Sequence, residues 1–316
     1  MDPRTRNGRF RLREISADAF VSPRDRAALE NLKRLPLLPV VVRRFNELAV
    51  ERLLYVQSSA ESVRCGPRQF PTLYWLLREA CDILDVAEPE LYIRQSPMLN
   101  GFTAGVTRTF VVLNSAVMNE MEDSELLFVL GHELGHIKCG HVLYGSLGRM
   151  LIPLLEVVGD ATLGLGKLAG LGLLSAFYEW MRQAEFSCDR AGLLACQDPR
   201  GAFSATMKIG CGASRFSGEM DVDAFLEQAR SHVESPTSDT LARALMFVLY
   251  NWSLDHPQVV FRARELDEWV RGGHYARILS GDYARTAGSA ATCPACGAAL
   301  AASGPCPFCA GREETV

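Results

Sequence analysis

Residues 131–137 read Gly-His-Glu-Leu-Gly-His-Ile. On a helix, His132 and His136 lie four residues apart and project from one face, the spacing with which two imidazoles hold a tetrahedral zinc ion. Glu133 follows the first of them directly, within reach of a metal-activated water. The stretch before it, Asp123-Ser-Glu-Leu-Leu-Phe-Val-Leu, supports a helix, with an acid to cap it and then an apolar run without a breaker. A pattern this short also arises by chance on ordinary helices with surface histidines and a solvated Glu. Val129, Leu130, Leu134 and Ile137 fit that alternative poorly, because two histidines and a carboxylate in an apolar helix need partners.

A metal held by two histidines needs a further protein ligand. Residues 184–191 read Ala-Glu-Phe-Ser-Cys-Asp-Arg-Ala, and the ExxxD spacing puts Glu185 and Asp189 on one helical face. Glu185 can supply that ligand. Asp189, one turn on, can accept a hydrogen bond from the distal nitrogen of a ligand histidine and so fix its tautomer. Alone, the segment reads more readily as a charged, solvated face, since Glu179, Arg182 and Arg190 lie nearby. The upstream HExxH reverses that preference. A third group, Asp255-His256-Pro257, reads as a helix start with Asp255 as cap and Pro257 in the first turn. His256 can in addition aim a proton or a positive charge at the metal site.

Four blocks in this order resemble the HtpX and CAAX-prenyl-protease family of gluzincin metallopeptidases. Asn100-Gly-Phe-Thr-Ala-Gly-Val, ahead of the strand Phe110-Val-Val-Leu, is similar to the family's Asn-Ala-Phe-Ala segment; Gly131 to Ile137 matches its zinc helix; Glu185 to Asp189 matches its third-ligand helix; and Asp255-His256-Pro257 with Arg262 is similar to its Ser-His-Pro block and later Arg. The resemblance runs from about residue 60 to about residue 275. It implies that His132, His136 and Glu185 bind zinc, that Glu133 is the general base, and that His256 and Arg262 line the catalytic centre. It implies an α+β fold, a predominantly helical zincin with a small mixed sheet. It also implies that Asn100, Gly101, Phe102, Thr103 and Ala104 pair with the substrate backbone by strand addition, which favours extended peptides over folded protein. Gly101 and Thr103 depart from the family's segment.

The remaining elements follow from breakers and caps. Residues 1–60 are expected to be helical: Ser22-Pro23-Arg24-Asp25 starts one helix, and Pro36 and Pro39 break it before a second from about Val40 to Tyr55. Residues 61–280 form the peptidase domain, with a first helix at about Pro71–Leu84, a strand at Glu90–Arg94 and a helix capped by Asp221 that reaches Ser231. Residues 281–291 include the small-residue linker Thr286-Ala-Gly-Ser-Ala-Ala. Residues 292–312 carry Cys293-Pro-Ala-Cys296 and Cys306-Pro-Phe-Cys309, two knuckles that together make a closed four-thiolate site. The tail resembles small zinc ribbons and has no core of its own, so a structural zinc would drive its folding. Two disulfides or an iron–sulfur site are the alternatives. Ribbons of this kind mediate contacts, which suggests a protein partner for the tail.

Composition bounds the rest. A chain of 316 residues with 48% hydrophobic and 22% charged residues is ordinary for one or two globular domains. A net charge of −4 gives no reason to expect nucleic acid as a partner. Arg4, Arg6, Arg9, Arg11 and Arg13 make the amino terminus locally basic, which reads as a solvated arm. Met1-Asp2-Pro3-Arg4 leads into charge and not into an apolar leader; Cys65, Cys81, Cys139, Cys188, Cys196 and Cys211 read as reduced, and a cytoplasmic location is expected. The apolar stretch 147–178 is interrupted by Arg149, Glu156, Asp160 and Lys167, and its longest uncharged run is too short for a span of about 20 residues. It reads as two helices or a hairpin walling the cleft, with peripheral membrane contact as the lesser reading.

The expected activity is therefore that of a zinc metalloendopeptidase. A scaffold that keeps the zinc fold and works through its ribbon is the alternative from another class, and the intact Glu133 argues against it. A peptide deformylase would also use HExxH but needs a Cys ligand upstream in a Gly-Cys-Leu context, which the chain lacks.

Overall fold

The computed structural model describes residues 5–6, 8–34, 38, 42, 50–147, 165–212, 215–234 and 258–286. His256 and the tail cysteines Cys293, Cys296, Cys306 and Cys309 lie outside the described residues. In chain order the elements are β1 (Thr5–Arg6), β2 (Arg9–Phe10), α1 (Pro23–Lys33), α2 (Val50–Glu61), β3 (Val63–Arg64), α3 (Pro71–Leu84), β4 (Glu90–Arg94), β5 (Gly101–Ala104), β6 (Phe110–Asn114), α4 (Ser115–Glu120), α5 (Asp123–Lys138), α6 (Leu165–Cys196), α7 (Pro199–Cys211), α8 (Val222–Glu234), α9 (Val259–Arg271) and α10 (His274–Leu279). Helices dominate, beside one small mixed sheet.

Local chemistry accounts for most boundaries. Pro23, Pro71 and Pro199 each stand in a first turn, where a missing N–H is no loss. In α3, Leu73, Leu77, Ala80 and Leu84 recur every three or four residues and are buried, the stripe of a helix on a core. The Asp221 side chain accepts from the backbone N–H groups of Asp223 (2.9 Å) and Ala224 (3.2 Å), and so starts α8. Two expected starts move. The cap of α5 is Glu122, not Asp123: Glu122 and Glu125 close a reciprocal capping box, with the Glu122 N–H donating to Glu125 Oε2 at 2.7 Å. Helix α9 begins at Val259 with Gln258 as its N-cap, so neither Asp255 nor Pro257 stands in its first turn.

The main sheet has the order β3-β4-β6-β5, with β4 and β6 parallel and both edge strands antiparallel to their neighbours. Side chains alternate across it. Leu91, Ile93, Val111 and Leu113 face the principal core. Tyr92, Ala104, Phe110 and Val112 face the other way, covered by Leu54 and Tyr55 of α2.

Helix α5 runs through the middle of the molecule, buried from Glu125 to Gly135, with α3, α6, α7 and β5 packed around it. Helix α6 differs from expectation. The part of the apolar stretch beyond residue 165 is not a separate helix; it runs straight into the ExxxD segment as one helix of 32 residues. Among the described residues, no helix is long and apolar enough to cross a membrane. Leu12, Ile15 and Phe20 join the principal core from the amino-terminal side. Segments 14–16 and 284–286 meet there: the Thr286 N–H donates to the Glu14 carbonyl at 2.8 Å, and the Ser16 N–H to the Ala284 carbonyl at 2.9 Å.

Candidate active site

The site is made where α5 and α6 cross at close range. Each α5 histidine is preceded by a glycine, and both glycines face small residues of α6. A Cβ on Gly135 would stand 2.8 Å from that of Ala191 and 3.0 Å from the Cys188 Cα, and one on Gly131 would collide with Ala195. On the other helix, a Cβ on Gly192 would stand 2.6 Å from the Phe128 carbonyl oxygen. No larger side chains would let the helices approach this closely. That approach delivers the Glu185 carboxylate between the two imidazoles. Its Oε2 lies 3.3 Å from His132 Nε2 and its Oε1 3.4 Å from His136 Nε2.

Behind the imidazoles, His132 Nδ1 lies 2.9 Å from Asp189 Oδ1. Arg262 of α9 clamps Asp189, with Nε donating to Oδ2 at 2.9 Å and Nη2 to Oδ1 at 2.6 Å. The guanidinium also lies 3.7 Å from Glu185. Arg262 is thus buried on the far side of the histidines, with its donors turned to the two carboxylates. It was expected to line the catalytic centre; it stands behind His132, its Nη2 3.4 Å from Nδ1, and not in the cleft wall.

In front of the imidazoles, Glu133 meets β5. Thr103 Oγ1 donates to Glu133 Oε2 at 2.6 Å. Residues Gly101 and Thr103 share the face of β5 turned to α5, whereas Phe102 and Ala104 pack toward α2 and the outer sheet face. Strand β5 is an edge, paired only with β6 among the described residues. Asn100 precedes it, its side-chain oxygen accepting from the Gly101 N–H at 2.8 Å.

The charge balance calls for a cation. Glu133, Glu185 and Asp189 are all buried, and Arg262 is the buried cation set among them. Burial disfavours a charged His132, but Glu185 and Asp189 outweigh it and push the imidazole up to about 10. Burial also disfavours a charged His136; Glu185 does not overcome it, and the group is held below its usual range. For Asp189, burial works against the charge and Arg262 and His132 prevail, leaving it below the usual carboxylate range. Two imidazoles and a carboxylate converging in a pocket with excess negative charge are a donor set that fits zinc. His132, His136 and Cys188 also bring donor atoms within 4.8 Å of one another. Cys188 is buried among these groups, and burial raises its thiol well above the usual range. Its sulfur also lies 3.6 Å from His141 Nδ1.

His136, Glu185 and Glu133 line a cleft partly open to solvent, walled by β5, Val142, Trp180 and Met181. His141 also lines it, and this residue escapes a reading of motifs. Its ring stands edge-on to that of His136, centroids 5.5 Å apart. Its Nε2 lies 3.1 Å from Asp25 Oδ2. Asp25 also accepts from Ser187 Oγ (2.6 Å) and Trp180 Nε1 (3.1 Å). The sequence signal was a third histidine shortly after the motif; its distant partners come from two segments, α1 and α6. His256 lies outside the described residues, so the structure brings together all the predicted catalytic-site residues except that one.

The model of peptidase family M48 matches residues 67–270. The chain belongs to this family of metallopeptidases, which depend on zinc. Among its relatives is the plastoglobule-localized metallopeptidase 48, chloroplastic, of Arabidopsis thaliana, 33% identical over 291 residues that cover 86% of this chain and 82% of the relative. Protease HtpX of Xanthomonas axonopodis pv. citri is 30% identical over 42% of this chain and 49% of its own length. Protease HtpX of Xylella fastidiosa is 31% identical over 34% of this chain and 41% of its own length. No solved structure matches the chain.

Proposed function

We propose that the chain is a zinc metalloendopeptidase that cleaves extended peptides or unfolded protein segments. The observation that carries this reading is the Glu185 carboxylate facing both His132 Nε2 and His136 Nε2 at the base of a cleft that also holds Glu133. His132, His136 and Glu185 would hold the metal. Zinc bound there supplies a Lewis acid that acidifies a water and polarises the scissile carbonyl. Glu133 accepts the proton of the attacking water and passes it to the leaving amine. Asp189 holds His132 in the tautomer that keeps Nε2 free, and Arg262 holds Asp189. The free edge of β5 pairs with the substrate backbone, with Asn100 to Ala104 as the pairing stretch. On the strength of the resemblance, His256 stabilises the oxyanion.

The test is zinc content and turnover of a quenched peptide library, wild type beside Glu133→Gln. The variant should keep its metal and lose roughly 10²–10⁴-fold in turnover. Wild-type turnover by a clean preparation would remove Glu133 as the base.

The tail and the location belong to the same reading. Cys293, Cys296, Cys306 and Cys309 hold a second, structural zinc in a ribbon over 292–312, which takes a protein partner. Truncation after Thr286 should remove one zinc per chain and leave short-peptide cleavage intact; two zincs retained, or a collapse in turnover, overturns the independent ribbon. The Arabidopsis thaliana relative is named for plastoglobules. We take from that name a peripheral association with a lipid surface, in place of the cytoplasmic location that composition suggested, with 147–178 as the contact. Flotation with phospholipid vesicles tests it, and a chain left wholly in the unbound fraction speaks against it.

A further inference from the structure

The two positions at which the Asn100–Ala104 block departs from the family's segment, Gly101 and Thr103, both meet one side chain, Glu133. They are two apart on β5 and therefore face the same way. Thr103 is buried, and its hydroxyl lies 2.6 Å from Glu133 Oε2 and 3.3 Å from the Glu133 carbonyl oxygen. The hydroxyl has a single proton to give, and the carboxylate is both closer and charged. On the other side, a Cβ on Gly101 would stand 3.2 Å from Glu133 Oε1 and 2.7 Å from Leu113 Cδ2. Any side chain there would have to displace Leu113 or crowd the carboxylate. Pairing with β6, Gly101 opposite Leu113 and Thr103 opposite Val111, fixes both positions against α5.

We propose that Gly101 and Thr103 form a cradle that selects one orientation of the Glu133 carboxylate, with Thr103 as a positioning residue for the general base. The inference rests on the reading of Glu133 as that base. One oxygen is held by the Thr103 hydroxyl. The other, left room by the missing side chain of Gly101, stays free for the proton it must accept. A carboxylate on two rotatable methylenes otherwise samples several rotamers, and only those aimed at the attacking water are productive. The cradle therefore acts on the chemical step and not on substrate affinity or metal binding.

The experiment compares wild type with Thr103→Val, Thr103→Ser and Glu133→Gln on a quenched peptide. Zinc affinity is measured by chelator competition, and the thermal midpoint is followed for each variant. Valine keeps the shape and removes the hydroxyl, so kcat should fall roughly tenfold with KM within about twofold. Zinc affinity and the thermal midpoint should stay near those of wild type. Serine restores the donor, and kcat should return to within about threefold of wild type. Unchanged kcat in Thr103→Val overturns the proposal, as does a loss shared by KM, zinc affinity and thermal midpoint that serine does not rescue. Gly101→Ala supplies a second arm, lowering kcat through crowding while Thr103 is intact; a wild-type kcat there removes the glycine from the cradle. The two failures are separable: if Glu133→Gln turns over normally, the base assignment falls, whereas an inactive Glu133→Gln beside a fully active Thr103→Val sinks the cradle alone.

Discussion

Two buried polar clusters lie side by side along α6, and both pair histidine with a carboxylate, to opposite ends. One holds His132, His136, Glu185, Asp189 and Arg262; the other holds His141, Asp25, Ser187, Trp180 and Cys188. They touch where the rings of His136 and His141 meet. In the second cluster the single carboxylate is surrounded by donors, with His141 Nε2, Ser187 Oγ and Trp180 Nε1 all within 3.1 Å of Asp25. Its histidine is occupied on both nitrogens, by Asp25 and by the Cys188 thiol. That histidine has no spare nitrogen for an ion, and of this cluster only Cys188 brings a donor atom near those of His132 and His136. In the first cluster the Nε2 atoms of both histidines face the Glu185 carboxylate, and among the described residues three buried carboxylates, Glu133, Glu185 and Asp189, gather around them. Residue type does not separate a metal site from a structural polar core. Charge balance and spare donor atoms do.

The sharpest way to test that contrast is to remove one carboxylate from each cluster. Glu185→Ala should lose the metal and with it nearly all turnover, since two imidazoles alone make a poor site. Metal analysis decides: full zinc occupancy in a folded Glu185→Ala would move the third ligand elsewhere, with Cys188 the first place to look. Asp189→Ala should be milder, weakening zinc affinity by roughly 10–100-fold because His132 loses the partner that orients it. An unchanged affinity would mean that packing alone holds the ring. Arg262→Met reads the same cluster from behind. It removes the guanidinium from Asp189 and Glu185 and leaves His132 as their remaining partner, and should cost the metal-free protein about 3 kcal/mol in denaturant unfolding. Zinc should recover part of that loss, because a dication answers the same excess charge.

What could be read from the chain divides along the same line. The ligand set was legible because HExxH and ExxxD each lie within one helix, where spacing alone puts side chains on a face. Strand β4 and helix α3 were legible for the same local reason. The Asp25 cluster was not, because its members come from α1, the segment after α5, and α6. The bond from Thr103 to Glu133 needed the register of β5 against β6, which no periodicity supplies. Gly131 and Gly135 stand in the motif, but its spacing gives them no role. Their use is the contact with Ala191 and Ala195, which becomes apparent only once two helices are crossed. Lys167 was read as an interruption of the apolar stretch, yet α6 runs from Leu165 to Cys196. Arg262 was found in sequence but its partners were not, since a resemblance can name a residue without saying which side chains it touches.

The smallest expected effect on chemistry comes from the second cluster, and it tests whether the two are independent. Asp25→Asn keeps the size of the side chain and removes the charge. Asn also carries an amide that meets the His141, Trp180 or Ser187 donors head-on, so stability should fall by about 2–4 kcal/mol. Zinc affinity should remain within about threefold of wild type, because no atom of Asp25 faces a ligand nitrogen. The pH dependence follows from the sign of the shift. Burial raises the Asp25 carboxyl, but the bonds from His141, Ser187 and Trp180 prevail and hold it below its usual range. A carboxylate depressed in the folded state adds stability that is fully present above the unfolded value of about 4 and fades as the pH falls through the folded one. Wild type should therefore lose more stability than Asp25→Asn on going from pH 5 to pH 2. Parallel acid-unfolding curves would mean that Asp25 stabilises by shape alone. A large loss of zinc in Asp25→Asn would mean instead that the ring contact between His136 and His141 transmits position from one cluster to the other, and that α1 helps to set the geometry of the site.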